Sequence, residues 1–211
     1  FSYADKKVKK AFFPFHLRIP AWCKGATISV NGTPIEVDTY TGEIAKISRE
    51  WQQGDVLSIE LPMEVTSSTW YEGAAVIERG PLLYALKMNE KWEKKTFEAE
   101  KQGYGNWYYE VTSDTPWNYA FNEEELKPEN IQKHFIVEKK ESINGYPWNI
   151  ENAPITIKTH GYPLKGWNLD RGSVGKIPYY TQQGLDHETA QPIELIPYGC
   201  TTLRLTEFPV R

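Results

Sequence analysis

Residues 74–87, AAVIERGPLLYALK, are apolar at both alternating sets of positions, before and after a central break. A segment that is apolar on both faces is typical of a strand covered from two sides. Gly80-Pro81 interrupts the run where the strand ladder must bend or end. Short strands follow one another closely before this stretch, and aromatic loops with sparser strands follow it. We therefore interpret it as the last strands of one sandwich, leading directly into a second module.

The preceding residues show the spacing of an antiparallel sandwich. Phe13, Phe15 and Leu17 share one parity and predict a strand that Pro20 ends. Asn31-Gly32 supplies two residues that tolerate positive φ, which predicts a tight hairpin. Residues 48–55 are interpreted as a connecting loop, in which Trp51 closes the end of the sandwich.

The strand pattern after residue 87 is looser. Asn122 is a good helix N-cap, but Pro128 limits that helix to one or two turns. The predicted strands are 107–111, 134–139, 155–158, 193–197 and 201–206, and residues 161–191 are predicted to form long loops. The predicted class is all-β: antiparallel β-sandwich or jelly-roll modules, two in tandem, with long aromatic loops and at most short helical turns. We expect the modules at 1–88 and 89–211.

Charge and hydropathy exclude two classes of partner. A net charge of −4 over 211 residues provides no basic surface for nucleic acid. No apolar run approaches the roughly 20 residues that span a bilayer, so we expect no membrane segment. The chain begins at Phe1 without a methionine, which favours a mature or excised fragment. The expected location is periplasmic or secreted rather than cytoplasmic.

The candidate catalytic and metal-binding side chains form no recognisable motif. Glycoside hydrolysis needs two facing carboxyl groups, and no spacing selects a pair among the candidates Glu72, Glu78, Asp114, Asp170 and Asp186. The densest ligand-like cluster is Asp186-His187-Glu188, and the remaining histidines are scattered: His16, His134 and His160. We expect no catalytic residue, metal or cofactor.

Two cysteines and three arginines favour structural roles. Cys23 and Cys200 are expected to be free, partly buried thiols, because isolated cysteine is usually a small core residue. Arg18, Arg49 and Arg79 each lie near a tryptophan or a proline. Stacking on Trp22 or Trp51, or bonding to loop carbonyls, is favoured over substrate binding for these side chains.

Aromatic residues are the strongest functional indication, at 14% of the chain. They cluster in the loosely structured half as Trp107, Tyr108, Tyr109, Trp117, Tyr119, Trp148, Trp167, Tyr179 and Tyr180. Sugar rings pack their C–H faces on aromatic planes, so Trp107, Trp117, Trp148 and Trp167 are candidate carbohydrate-binding residues. The alternative is that these rings fill the sandwich core or pack against a further domain.

Several phrases in order together resemble glycoside hydrolase family 127, the β-L-arabinofuranosidase-like enzymes. They are FHLRIPAW (15–22), VNG (30–32), ISREW (47–51) with GD (54–55), LPM (61–63), AVIERGPLLYAL (75–86), PWNYA (116–120) and LIPYGCT (195–201). The resemblance covers most of the chain. It implies β-sandwich modules that follow a helical (α/α)6 catalytic barrel, the first of the middle type and the second of the C-terminal type.

The resemblance also implies where the chemistry lies. In that family a glutamate and a cysteine nucleophile near a zinc cluster of cysteines act in the barrel, and none of these residues can be transferred to this chain. We therefore expect a non-catalytic accessory portion whose partner is an N-terminal catalytic barrel. The alternative is a carbohydrate-binding module that holds plant-type, arabinose-containing glycans on its aromatic loops.

Overall fold

The computed structural model describes residues 1–2, 7–101, 105–178 and 189–211. The described chain divides into two compact units, Phe1–Glu64 and Val65–Arg211. Antiparallel strands dominate both units, and the helical elements are short. The predicted all-β class is confirmed.

The first unit encloses its core between two small antiparallel sheets. Its strands are β1 (Lys10–Arg18), β2 (Thr27–Val30), β3 (Thr33–Pro34), β4 (Ile44–Gln52) and β5 (Leu57–Glu60). One sheet pairs β1 with β4, and the other has the order β3-β2-β5. The predicted alternation is confirmed, since Phe13, Phe15 and Leu17 pack on the core while Phe12 is exposed.

The Asn31-Gly32 hairpin prediction is also confirmed. Both residues have positive φ, 52° and 79°, and they join β2 to β3. The Asn31 side chain then fixes a neighbouring turn, because its amide donates to Asp55 Oδ1 at 2.9 Å and its oxygen accepts from Val56 N at 2.8 Å. The hydrogen bond from Asn31, with one from Gln52 N, holds the pKa of Asp55 below its ordinary value.

The second unit is organised around one large sheet. Its strands, in order across the sheet, are β11 (Tyr119–Ala120), β13 (Ile155–Pro163), β16 (Gln191–Pro197), β8 (Leu82–Leu86), β7 (Ala75–Arg79) and β17 (Glu207–Phe208), with β12 (Ile136–Lys139) paired to β13 and β6 (Val65–Thr69) paired to β7. Separate two-stranded sheets pair β9 (Lys91–Lys101) with β10 (Gly105–Thr112), and β14 (Leu169–Asp170) with β15 (Ser173–Val174). The helices α1 (Glu123–Leu126) and α2 (Ile131–His134) are one turn each.

The stretch 74–87 forms the hairpin β7–β8 in the middle of this sheet. Its break lies at Gly80-Pro81, where Gly80 has a φ of 59°. Ile77 and Leu86 belong to the core of the second unit, and β8 pairs with β16 through Leu86 and Leu195. These strands therefore belong to the second compact unit, which begins at Val65. The tandem-module boundary at 88/89 stays a prediction.

Four local predictions differ from the structure. Strand β4 continues through Trp51 to Gln52, so Trp51 is a strand residue. His134 ends α2, and β12 begins only at Ile136. Residues 201–206 form no strand, because Arg204 adopts a φ of 49° that breaks the alternation. Residues 161–191 contain the end of β13 and the β14–β15 hairpin, whereas residues 179–188 lie outside the described chain.

Candidate aromatic surface

The hairpin β9–β10 brings three aromatic side chains to one face. The antiparallel register pairs Trp107 with Thr96, Tyr109 with Lys94 and Val111 with Trp92. Directly opposed residues of an antiparallel pair project to the same side of the sheet. Trp92, Trp107 and Tyr109 therefore share one side of the hairpin, which we call the aromatic face.

Ring contacts run along the aromatic face. Tyr109 lies between the two tryptophans, with ring centroids 5.6 Å from Trp92 and 5.5 Å from Trp107 in edge-to-face arrangements. The Lys94 ammonium lies 4.5 Å from the Trp107 ring centroid, within cation–π range. Trp92, Trp107 and Tyr109 remain 52%, 46% and 49% exposed. Half-exposed rings in mutual contact leave apolar surface that a further partner can cover.

The opposite side of the hairpin combines an ion-paired cluster with one aromatic pair. Lys95 Nζ lies 2.7 Å from Glu93 and 3.5 Å from Glu110, and the hydrogen bond to Glu93 raises the pKa of Lys95. Tyr108 contacts Phe97 on this side, with ring centroids 5.0 Å apart. The two sides thus differ in chemistry although they belong to the same two strands.

A polar cluster holds the base of the hairpin. The Asn89 side-chain oxygen accepts from the hydroxyls of Ser113 and Thr115, each at 2.7 Å. Asp114 bonds to Lys91 and Asn89, contacts that lower the pKa of its carboxyl. These bonds join Asn89 and the first residue of β9, Lys91, to the residues that follow β10. An isolated two-stranded ribbon is marginally stable, so such anchoring restrains the aromatic face.

Glu90 connects the hairpin to the end of the chain. Its Oε1 accepts hydrogen bonds from the Thr201 hydroxyl at 2.9 Å and from the Thr202 backbone N–H. Thr201 itself is buried. The first residue before β9 is therefore tied to the second unit, from which the hairpin extends.

The four predicted tryptophans lie in different environments. Trp107 is on the aromatic face, and Trp148 is partly exposed beside Gly199. Trp167 is buried and donates its indole N–H to Gly175 O at 3.0 Å, while Trp117 packs edge-to-face on it with centroids 4.9 Å apart. The structure thus places Trp117 and Trp167 against the core. Carbohydrate binding by these residues stays a prediction, and Tyr179 and Tyr180 lie outside the described residues.

Sequence reasoning missed Trp92 and Phe97 as members of the hairpin. Residues 91–97, KWEKKTF, place charges at most positions and show no apolar alternation of period two. Only the pairing with β10 shows that Trp92 faces the same way as Tyr109.

The candidate carboxylates have structural partners. Glu72 Oε1 lies 3.0 Å from Lys176 Nζ, and this contact lowers the pKa of Glu72. Glu78 accepts from the Ser68 hydroxyl at 2.8 Å. Asp170 is exposed in the short strand β14. In the described parts of the chain, no three His, Cys, Asp or Glu side chains gather as a metal site requires. Asp186-His187-Glu188 lies outside the described residues.

The arginines and cysteines occupy structural positions. Arg49 lies over the Trp51 ring, with its guanidinium carbon 5.0 Å from the ring centroid, as predicted. Arg79 is buried, whereas Arg18 is exposed on β1. Cys23 and Cys200 are free and buried, and burial raises the pKa of each thiol.

No described helix is long and apolar enough to cross a membrane.

One protein-family model matches the sequence of the first unit. The model described as "Beta-L-arabinofuranosidase, GH127 middle domain" matches residues 2–63, which fall within Phe1–Glu64. The family 127 resemblance is confirmed. The model describes a middle domain, and the middle type of the first module stays a prediction. The C-terminal type of the second module stays a prediction.

Solved structures share the fold of the chain. A glycoside hydrolase aligns with a TM-score of 0.56 and 19% identity, covering 99% of this chain and 29% of that one. A GH127 β-L-arabinofuranosidase from Geobacillus stearothermophilus T6 aligns with a TM-score of 0.53 and 19% identity over 96% of this chain and 27% of that one. A GH127 β-arabinofuranosidase gives the same TM-score and identity over 96% and 28%. No curated protein matches the sequence.

The share of each solved protein that this chain covers, and the sequence identity, limit what the alignments show. The chain spans less than a third of the length of each of these solved proteins. At 19% identity the likeness establishes the fold alone. The activity of those proteins therefore enters only as a proposal for this chain.

Proposed function

We propose that this chain is a non-catalytic accessory portion of a family 127-like glycoside hydrolase, packing against a catalytic barrel. The observation that carries this proposal is the match of residues 2–63 to a GH127 middle domain. It is supported by the extent of the alignments, in which nearly the whole chain corresponds to less than a third of a larger hydrolase.

The contacts of the candidate carboxylates support the same conclusion. Retaining or inverting hydrolysis needs a carboxyl pair about 5–9.5 Å apart with access to the sugar. Glu72 is paired with Lys176, and Asp114 is bonded to Lys91 and Asn89 at the hairpin base. Both carboxyls have a pKa lowered by these contacts, whereas a general acid needs a raised one.

An activity assay tests the proposal directly. The purified 211-residue chain is incubated with 4-nitrophenyl β-L-arabinofuranoside, and release of nitrophenol is followed. We expect no turnover above buffer, with the Geobacillus stearothermophilus T6 arabinofuranosidase as the positive control. Turnover by the chain alone that Glu72→Gln or Glu78→Gln abolishes would overturn the proposal.

The aromatic face favours a second candidate function, a carbohydrate-binding module. Trp92 and Trp107 are half exposed, with ring centroids 5.6 Å and 5.5 Å from that of Tyr109, which suits stacking against the apolar faces of sugars. The same surface equally suits contact with a catalytic barrel, and we favour that contact because the family match is to a domain of a multidomain enzyme.

A glycan array separates the two functions. A packing surface should show no selective retention of arabinose-containing glycans, whereas a carbohydrate-binding module should retain them and lose them in Trp107→Ala. Tyr108→Ala is the matched control, because Tyr108 is similarly exposed but lies on the opposite side of the same strand. Loss of retention in both variants would point to disruption of the hairpin rather than to a binding face.

A further inference from the structure

A cavity of about 840 Å³ lies within the second unit, lined in part by Asn89 and Thr115 at the base of the hairpin β9–β10. Strands β13 and β16 contribute to its walls, together with residues that follow β8, residues that precede β11 and the end of α2. Pockets of about 300–1,000 Å³ are of the size that holds small organic ligands. This volume is therefore sufficient for a ligand of two fused rings with substituents.

Strand register explains how polar groups reach this cavity. Lys158 pairs with Glu194 and His160 pairs with Pro192 across β13 and β16, and Ile136 of β12 pairs with Lys158. Opposed residues in antiparallel strands share a face of the sheet. The sheet thus brings His160 to the same cavity as His134, which lies at the end of α2, although the two histidines are far apart in sequence.

Much of the cavity wall is apolar. Met88, Ile136, Ile150 and Ile193 line it, together with two prolines. Ile193 and Met88 belong to the core, so this part of the wall is fixed by packing. Ile136 remains half exposed and borders the opening. A ligand with an apolar body would gain by covering this surface.

Cationic side chains outnumber acidic ones around the same cavity. The lysines that line it are Lys87, Lys133 and Lys158. Among the described lining residues, one is acidic, Glu194. Lys87 is paired with Glu194 at 2.6 Å, and Lys158 with Glu138 at 2.8 Å. Among the described residues, Lys133 Nζ has one hydrogen-bond partner, the neutral amide oxygen of Asn130 at 3.2 Å. Of the three lysines, Lys133 is therefore the one without an acidic partner in the described chain.

One residue beside the cavity has a buried hydroxyl without a partner in the described chain. Thr159 lines it and is 4% exposed, yet its hydroxyl makes no hydrogen bond to any described residue. Buried hydroxyls are nearly always hydrogen-bonded, and an unpaired one costs about 1–3 kcal/mol. Thr159 pairs with Ile193 and projects to the core side of β13, opposite to Lys158 and His160, so its hydroxyl belongs to the core and is not counted as a ligand contact.

We propose that this cavity binds an organic anion with an apolar body, a carboxylate or a sulfonate. The apolar walls cover the body, and Lys133 pairs with the anionic group. This site does not depend on the accessory role proposed above, because every lining residue lies in the second unit.

Fluorescence titration with two matched probes tests the site. The anion is 8-anilinonaphthalene-1-sulfonate, and its uncharged analogue is N-phenyl-1-naphthylamine; both are titrated into the 211-residue chain. We expect saturable one-to-one binding of the anion, with the neutral probe binding about threefold to fivefold more weakly. Backbone amide NMR shifts should locate the bound anion at Thr159 and His160.

Substitutions of two lining residues test the contributions of charge and of apolar contact to binding separately. Lys133→Gln should weaken binding of the anion about threefold to fivefold and leave the neutral probe unchanged. Ile136→Glu should weaken the anion more than Ile136→Gln, because both lose the same apolar area while only glutamate adds a repelling charge. Lys139→Gln, an exposed lysine of β12 outside the cavity lining, is the control and should change nothing.

Three results would overturn the proposal. The first is the absence of saturable binding by the anion. The second is equal affinity for both probes together with no effect of Lys133→Gln, which would indicate an apolar cavity without anion selectivity. The third is a pattern of NMR shifts that leaves Thr159 and His160 unchanged while other surfaces respond.

Discussion

Tryptophans of one chain occupy two contrasting environments. Trp51 and Trp167, the core tryptophans, are 0% and 2% exposed, and each donates its indole N–H to a backbone carbonyl, at 3.1 Å to Phe13 O and 3.0 Å to Gly175 O. Trp92 and Trp107 on the aromatic face are about half exposed. Aromatic content alone therefore does not show whether a ring lies in the core or on an exposed surface. The residues that contact each ring decide which of the two it is.

Trp51→Ala should have the largest effect on stability. The substitution leaves a cavity in the core of the first unit and removes the hydrogen bond to Phe13 O, and we expect a loss of about 3–5 kcal/mol. Urea denaturation followed by circular dichroism measures it. Trp51→Phe is the control and should cost less, since it keeps most of the buried area. A smaller loss of stability than that from Trp107→Ala would contradict the distinction between core and exposed tryptophans.

Gly161→Ala tests how tightly the core of the second unit is packed. A Cβ at this position would lie 2.9 Å from Ile193 Cδ1 and 2.9 Å from Tyr119 Cβ. Because both neighbours are core side chains, we expect overpacking to cost about 1–3 kcal/mol. Gly166→Ala is the matched control, since a Cβ there meets no atom within 4 Å. Equal midpoints of urea denaturation for the two variants would contradict this packing.

Trp167→Phe should have an intermediate effect of about 1–2 kcal/mol. It leaves the Gly175 carbonyl without its indole donor, while most of the contact with Trp117 remains. Thermal unfolding measures the change. If Trp167→Phe shifts the midpoint no more than Trp107→Phe does, then Trp167 does not act as a core residue.

Trp107→Ala should change stability by less than about 1 kcal/mol, because the ring is half exposed and its contacts are with Tyr109 and Lys94. Its effect should appear in association instead. Binding of the chain to a separately expressed catalytic barrel, measured by calorimetry, should weaken in Trp107→Ala and not in Tyr108→Ala. Equal loss in both variants would remove the distinction between the two sides of the hairpin.

The contribution of Asp55 to stability should be lost at low pH. The hydrogen bonds from Asn31 and Gln52 lower the pKa of this carboxyl in the folded state. Its stabilising contribution is therefore present above the ordinary pKa and is lost as pH falls through the folded value. The difference in melting temperature between the unsubstituted chain and Asp55→Asn should shrink below about pH 4. A difference that stays constant from pH 7 to pH 3 would contradict this linkage.

Strong local patterns in the sequence predicted much of the fold. The alternation of Phe13, Phe15 and Leu17 identified β1, and Asn31-Gly32 identified the β2–β3 turn because few residue pairs tolerate two positive φ values. The N-cap at Asn122 also matches, since its side chain accepts from Glu124 N at 2.9 Å. Strand β9 went unpredicted because lysines and glutamates obscure any apolar period in residues 91–97.

The sequence by itself determined the all-β class, the principal hairpins and the family 127 resemblance, because these depend on residue order over short distances. Only the tertiary structure decided which tryptophans are buried, since burial of Trp167 depends on Trp117 and Gly175, and exposure of Trp107 depends on the β9–β10 register. It also placed β7 and β8 in the second unit and gathered His134 and His160 at one cavity. Such contacts join residues far apart in the chain, and no local period encodes them.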